Sequence, residues 1–233
     1  MFLFLLKFYK GINMIRFINE NKDKEFSIFM ENYMRNKFMF LGIRAPKRKE
    51  LEKILFKDAN LNKIDKKFVL ELYNKEYREY QYIAIDYLIK LKKKLLLEHV
   101  ELIKYLIENK SWWDTVDIIS SNLLGEICKK YPNIINEKII SWSKDKNLWI
   151  RRSSIIFQLR YKNYTSINVL VKVIENNLTD ENFFIQKAIG WSLREYSKTN
   201  PKWVRTFVHS YEKKLSYLAL KEAQKFIKRG EVS

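Results

Sequence analysis

Apolar side chains recur along this chain at intervals of three and four residues, the spacing that gathers them on one face of an α-helix. After Trp113 the positions Val116, Ile119, Leu123 and Ile127 keep that interval, so the stretch beginning at Ser111 opens a helix. Phe26, Phe29, Met30 and Tyr33 do the same within 14–38, which reads as one or two helices. Further helices are predicted over 47–56, 65–74, 95–108, 133–143 and 166–176, the first carrying basic residues at 47, 48, 49 and 53. Phe40-Leu-Gly-Ile-Arg-Ala-Pro46 is a loop: Gly42 permits an unusual backbone angle, Ala45 before proline is biased away from helix, and Pro46 can start the next one. Pro132 and Pro201 also stand near predicted helix starts.

The helices repeat. Tyr80-Gln-Tyr-Ile-Ala-Ile, Trp113-Asp-Thr-Val-Asp-Ile, Trp149-Ile-Arg-Arg-Ser-Ser and Phe184-Ile-Gln-Lys-Ala-Ile can be laid over one another, their leading aromatics 33, 36 and 35 residues apart. Each segment begins a helix after a polar or acidic connector, and a second helix lies between each pair. A period near 35 with two helices per unit is the mark of a helical solenoid. The expected fold is therefore all-α, an α-solenoid of HEAT-like repeats forming a single domain over 1–233. Residues 1–13 are a candidate extension if Met14 is the start, or one more apolar turn of the first helix. Residues 201–229 close the array with Lys202, Arg205, Lys213, Lys214, Lys221, Lys225, Lys228 and Arg229 against two acids.

Composition changes the picture in one respect. Lys and Arg number 45 against 27 Asp and Glu, a formal charge of +18, which points to a polyanionic partner, most simply nucleic acid. A general lysine bias of the source would also raise the charge, but here arginines and aromatics accompany the lysines. The 47% hydrophobic content says folded, and five glycines with three prolines leave few helix breakers. The lone Cys128 excludes an intrachain disulfide framework, fits a reducing cytosol and reads as a small core residue. His99 and His209 lack metal-ligand spacing, so no metal is expected. No glycine-rich phosphate loop is present, which disfavours nucleotide hydrolysis. The apolar run Met1–Leu6 has neither the basic lead nor the cleavage site of a signal peptide, and no run reaches membrane-spanning length.

Within that basic chain, Ser111-Trp-Trp-Asp-Thr-Val-Asp117 places two tryptophans and two acids in seven residues. Trp113 and Asp117 fall one turn apart on one helix face. A tryptophan at a helix start serves packing as readily as chemistry, and Asp114 suits the positive end of the helix dipole. A carboxylate repels DNA phosphates, however, so Asp117 should serve a positive charge or a water. A solenoid curves, and its aligned helices line the concave side. The repeat openings should then bring Trp113, Asp117, Arg152 and Trp191 onto one surface, with Arg151 or Arg152 and Lys187 supplying cations for phosphates.

Tyr33-Met-Arg-Asn-Lys-Phe-Met-Phe-Leu-Gly-Ile, Ser111-Trp-Trp-Asp-Thr-Val-Asp117, Leu148-Trp-Ile-Arg-Arg152 and Ala188-Ile-Gly-Trp-Ser-Leu-Arg-Glu195 resemble the AlkD-type DNA alkylation repair enzymes, HEAT-like repeat DNA glycosylases, in order and spacing from about residue 14 onward. The resemblance implies excision of cationic alkylpurines, 3-methyladenine and 7-methylguanine, from duplex DNA by a monomer, with no metal and no cofactor. It implies that Asp117 is the catalytic carboxylate, that Trp113 and Trp191 are the aromatics around the lesion nucleotide, and that Arg152 contacts the DNA backbone. Tyr33 matches a further aromatic near the DNA. Arg44, counted with the DNA-binding residues, stands where the best-known members carry glutamine. It also implies that the lesion stays stacked rather than being flipped out.

Two other functions compete. A non-catalytic DNA-binding relative on the same scaffold would keep the basic surface and could lose the Trp/Asp constellation, which is intact here. A HEAT-like protein–protein scaffold would call for an apolar or acidic concave face rather than one bearing Arg151, Arg152 and Lys187.

Overall fold

A computed structural model describes residues 14–57 and 61–227; the expectations for residues 1–13, Lys228 and Arg229 lie outside the described residues. The chain forms two compact units, Met1–Lys94 and Leu95–Ser233. Among the described residues both are built from helices without strands. No helix among them is long and apolar enough to cross a membrane.

In the first unit a helical stretch at 14–19 precedes α1 (Lys24–Tyr33), α2 (Ala45–Leu55), α3 (Lys66–Tyr73) and α4 (Arg78–Lys90). The region 14–38 is thus two helices. Asp23 and Asp65 cap α1 and α3, each accepting a backbone N–H three residues on. Pro46 sits in the first turn of α2, as expected. The loop before it turns at Gly42, whose φ is +84°, and a Cβ there would lie 1.9 Å from the Asp23 carbonyl oxygen, so only glycine fits. Glu79, fully buried at the start of α4, accepts the backbone N–H groups of Leu41, Gly42 and Ile43 at 2.9, 2.9 and 3.1 Å. A loop that could not pair its own N–H groups is thereby tied to a helix.

The second unit continues with α5 (Val100–Glu108), α6 (Trp113–Ile118), a π-helical turn (Ile119–Leu124) and α7 (Gly125–Lys130). Another π turn (Ile135–Ile139) leads into α8 (Ile140–Trp142), followed by α9 (Leu148–Ile156), α10 (Ile167–Glu175), α11 (Phe183–Ser197), α12 (Pro201–Ser210) and α13 (Tyr217–Ile227). The apolar stripe predicted after Trp113 is buried: Val116, Ile119, Leu123 and Ile127 are all 0% exposed.

The helix itself is not regular, and its side chains explain why. Ser120, Ser121 and Asn122 donate in succession to the carbonyls of Val116, Asp117 and Ile118, at 2.6, 2.8 and 3.0 Å. These bonds compete with the backbone N–H groups for the same acceptors and widen the turn into a π bulge directly after Asp117.

The repeat is visible as hydrogen bonding. In Asp145-Lys-Asn147-Leu-Trp149 and Asp180-Glu-Asn182-Phe-Phe184, the aspartate accepts the asparagine N–H at 2.8 Å in both. The asparagine in turn caps the helix by accepting the aromatic residue's N–H, at 2.8 and 2.9 Å. Trp149 and Phe184, two of the aromatic residues that align the repeats, are thus held two residues past a cap. The core running from α9 to α13 gathers Ile155, Leu170, Ile174, Ile189, Val204 and Ala219. Where α11 crosses α13, Gly190 lies so close that a Cβ would meet the Glu222 Cβ at 2.5 Å and the Ala219 carbonyl at 2.8 Å.

Candidate active site

Asp117 lies in the last turn of α6, one turn after Trp113 and just before the π bulge. Arg152, on α9, reaches it with both arms: Nε donates to Oδ1 at 2.7 Å and Nη2 to Oδ2 at 2.8 Å. The third arm, Nη1, donates to the carbonyl of Phe184 at the start of α11. One guanidinium therefore joins three successive repeats. Its side chain is 5% exposed, and that of Asp117 is 15% exposed.

Behind this clamp, Trp112 meets Trp149 and Phe184 edge to face, ring centroids 5.6 Å and 5.1 Å apart, and Trp149 lies tilted against Phe184 at 4.9 Å. Each comes from the opening of a different repeat. The trio fixes the Phe184 backbone and hence the direction of its carbonyl. Sequence reasoning used Trp149 and Phe184 only to align repeats; their place here follows from that alignment.

Burial pushes the Asp117 carboxyl above its ordinary value, and the Asp114 charge adds to the rise, while the hydrogen bonds and charge of Arg152 pull it back. The guanidinium occupies one lone-pair position on each oxygen, which leaves acceptor capacity on both. The arrangement is a desolvated, oriented carboxylate beside half-buried Trp113. Such a group can stabilise developing positive charge or orient a water.

The other expected site residues take varied places. Trp191 is half-buried on α11 and packs against the α9–α13 core. The expectation of open cations changes, because each proposed groove cation in this unit already has an acid. Arg152 is committed to Asp117. Arg151 donates to Asp180 Oδ2 at 2.8 Å and to the carbonyls of Asp145 and Lys146, bracing the connector between repeats. Lys187 donates to Glu222 at 2.6 Å. The adjacency of Arg151 and Arg152 on a helix sends them to different partners. Asp180 and Glu222 were the signals missed, one read as connector and the other only counted among the closing acids.

In the first unit, the Arg44 guanidinium lies 4.0 Å from the centroid of the Phe26 ring. Tyr33, at the end of α1, is 64% exposed. Arg35 and Asn36, two and three residues after it, both take left-handed backbone angles.

Among the described residues, no cluster of three or more His, Cys, Asp or Glu side chains is placed to hold a metal. Cys128 is buried, and burial pushes its thiol up to about 12, as befits a core residue rather than a nucleophile. A cavity elsewhere in this unit, of about 290 Å³, is lined by Gln158, Ser192, Glu195 and Tyr196 among others and involves neither Asp117 nor Trp113.

The model of the DNA alkylation repair enzyme family matches residues 15–227. A solved structure described as a predicted DNA alkylation repair enzyme from Enterococcus faecalis is 37% identical, covering 88% of this chain and 96% of that one, with a TM-score of 0.81. AlkD2 from Streptococcus mutans is 20% identical over 78% of this chain and 89% of its own, with a TM-score of 0.58. The protein smu.31 from Streptococcus mutans UA159 is 19% identical over 87% and 98%, also at 0.58. These last two share the fold. No curated protein sequence matches the chain.

Proposed function

From the premise that the chain belongs to the DNA alkylation repair enzyme family, we propose that it is a DNA glycosylase. It hydrolyses the N-glycosidic bond of cationic alkylated purines, such as 3-methyladenine and 7-methylguanine, in duplex DNA. The single observation that carries this reading is the Asp117–Arg152 clamp: a buried carboxylate, oriented by two hydrogen bonds, beside Trp113 in a chain of charge +18.

A cationic alkylpurine leaves as a neutral base, so no general acid has to protonate it. Departure of the base develops oxocarbenium character at the sugar, as in other glycoside cleavages. Asp117 stabilises that charge and positions the water that adds to the sugar carbon, accepting its proton. The faces of Trp113 and Trp191 add cation–π stabilisation to the same charge. The chemistry calls for no metal or cofactor.

Arg152 takes a different role from the backbone contact implied by resemblance. With two arms on Asp117 and a third on Phe184, it is a positioning residue that holds the carboxylate in one orientation. The lesion stays stacked and is attacked at its exposed sugar. Tyr33 and Arg44 in the first unit and Arg151 and Lys187 in the second are DNA-contacting residues, and the protein acts as a monomer.

The test is base release from methylated duplex DNA by the wild type and Asp117→Asn side by side. Release of 7-methylguanine or 3-methyladenine by the wild type alone is expected. No release by either, with salt-sensitive DNA binding retained, would mark a non-catalytic DNA-binding member of the family.

A further inference from the structure

Glu222 on α13 is engaged by three cations at once. Lys187 Nζ lies 2.6 Å from Oε1, Lys225 Nζ 2.5 Å from the same oxygen, and Arg194 Nη1 2.5 Å from Oε2. The carboxylate is nearly buried, its side chain 6% exposed, whereas the cations stand 37%, 30% and 49% exposed for Lys187, Arg194 and Lys225. Gly190 makes the arrangement possible, because the Glu222 Cβ occupies the space a side chain there would take.

The charges do not balance. A tie between α11 and α13 needs one cation, and three on one carboxylate leave a surplus of two positive charges among the described residues of the cluster. Glu195, on the same helix, is paired with Lys198 at 2.6 Å. Like charges gathered around one point repel one another, a cost that an incoming anion would relieve. The donors also outnumber the acceptor: each ammonium has three N–H bonds and the guanidinium five, so most remain free to turn to a second oxygen. Burial acts to raise the Glu222 carboxyl, but hydrogen bonds from Lys187 and Lys225 and the charges of Lys187 and Arg194 prevail and hold it at about 2. The anchor is thus ionised at neutral pH and keeps the three cations gathered.

We infer that Lys187, Arg194 and Lys225, gathered on Glu222, form a preorganised site for a backbone phosphodiester of bound DNA. The inference rests on the DNA-glycosylase reading above and adds a site to it. Its position supports the assignment. Lys187 lies one turn before Trp191 on α11, the helix whose Phe184 carbonyl holds Arg152. A phosphate held here would fix the strand relative to the helix that completes the Asp117 clamp.

The experiment is the salt dependence of binding to an undamaged duplex, by fluorescence anisotropy. Each phosphate contact contributes a slope of roughly −0.9 in log K against log salt. Arg194→Gln/Lys225→Gln, which leaves Lys187 matched by Glu222, should make the slope shallower by about 0.9, the loss of one phosphate contact, and Lys225→Gln should make it shallower by less. The charge-preserving Arg194→Lys/Lys225→Arg should keep the wild-type slope. Lys225 is the most exposed of the three, so its variant tests the site without threatening the fold. Slopes unchanged in both Gln variants, with a steep wild-type slope, would reduce the cluster to a helix tie even if melting temperatures fell. A wild type whose binding ignores salt would instead undo the DNA reading itself. Inorganic phosphate at millimolar concentration, tested by isothermal titration against the wild type, should show no site of its own. Saturable binding lost in Lys225→Gln would assign the cluster to free phosphate and overturn the inference.

Discussion

Asp117 and Arg152, 35 residues apart in sequence, meet through two parallel hydrogen bonds of 2.7 and 2.8 Å. Paired donors on a carboxylate give direction as well as strength. The separation is one repeat, so the contact is made between equivalent levels of neighbouring repeats. Arg152 and Lys187 occupy equivalent positions after Trp149 and Phe184, yet Arg152 turns back to the preceding repeat and Lys187 forward to the helix that closes the unit.

Asp117→Asn is expected to lower single-turnover excision of 7-methylguanine by about 100- to 1,000-fold, the scale of losing one preorganised electrostatic group. The amide keeps the size of the side chain, so duplex affinity should hold within a few-fold. Wild-type-like excision by this variant would remove Asp117 from the chemistry.

Arg152 variants test whether the guanidinium serves Asp117 or the DNA. The reaction needs the carboxylate, so excision falls as pH drops through the raised value of Asp117. Arg152→Lys keeps a charge but gives up the two-armed geometry, and Arg152→Ala gives up both. The acid limb of the excision rate at saturating DNA should therefore move to higher pH from wild type to Lys to Ala. Stability follows its own sign. A carboxyl raised on folding takes up a proton more readily in the native state, so its contribution is present at low pH and is lost as pH rises through the folded value. An acid limb that stays in place while only affinity and salt slope change would return Arg152 to the DNA backbone.

Trp112→Ala should unfold the second unit more easily, by about 3–5 kcal/mol, the cost of emptying a buried aromatic site. Trp112 is 9% exposed and touches both Trp149 and Phe184. Urea denaturation gives the magnitude, and a change below about 1 kcal/mol would mean that the trio is not the brace described.

Gly190→Ala should destabilise the closing helices by about 1–3 kcal/mol, because the added methyl meets the Ala219 backbone and the Glu222 Cβ. Differential scanning calorimetry should show the melting temperature falling by roughly 2–4 °C per kcal/mol. An unchanged melting temperature would show that α11 and α13 can separate freely.

Much of this was legible in the order of residues. The three-and-four spacing of Val116, Ile119, Leu123 and Ile127 is a property of the chain, and all four are buried as it requires. The helix starts at Leu148 and Phe183 follow from the asparagine caps immediately before them. The π bulge was less legible, because it depends on three neighbouring side chains choosing backbone acceptors over water. The motifs around Tyr33, Trp113 and Asp117, Arg152 and Trp191 together pointed to the family, since residue types and intervals suffice for that.

The sequence by itself determined the helices, their period, the family and the surplus of positive charge. Periodicity and net charge are sums over local positions, so they survive without coordinates. Only the tertiary structure decided which charges remain for a partner. Arg151, Arg152 and Lys187 read alike as basic residues at repeat openings. Their roles diverge because ion pairing depends on which acid the packing of neighbouring helices brings within about 3 Å. Asp180, Asp117 and Glu222 reach them from 29 to 35 residues away. Distance along the chain carries no such information until the helices are packed.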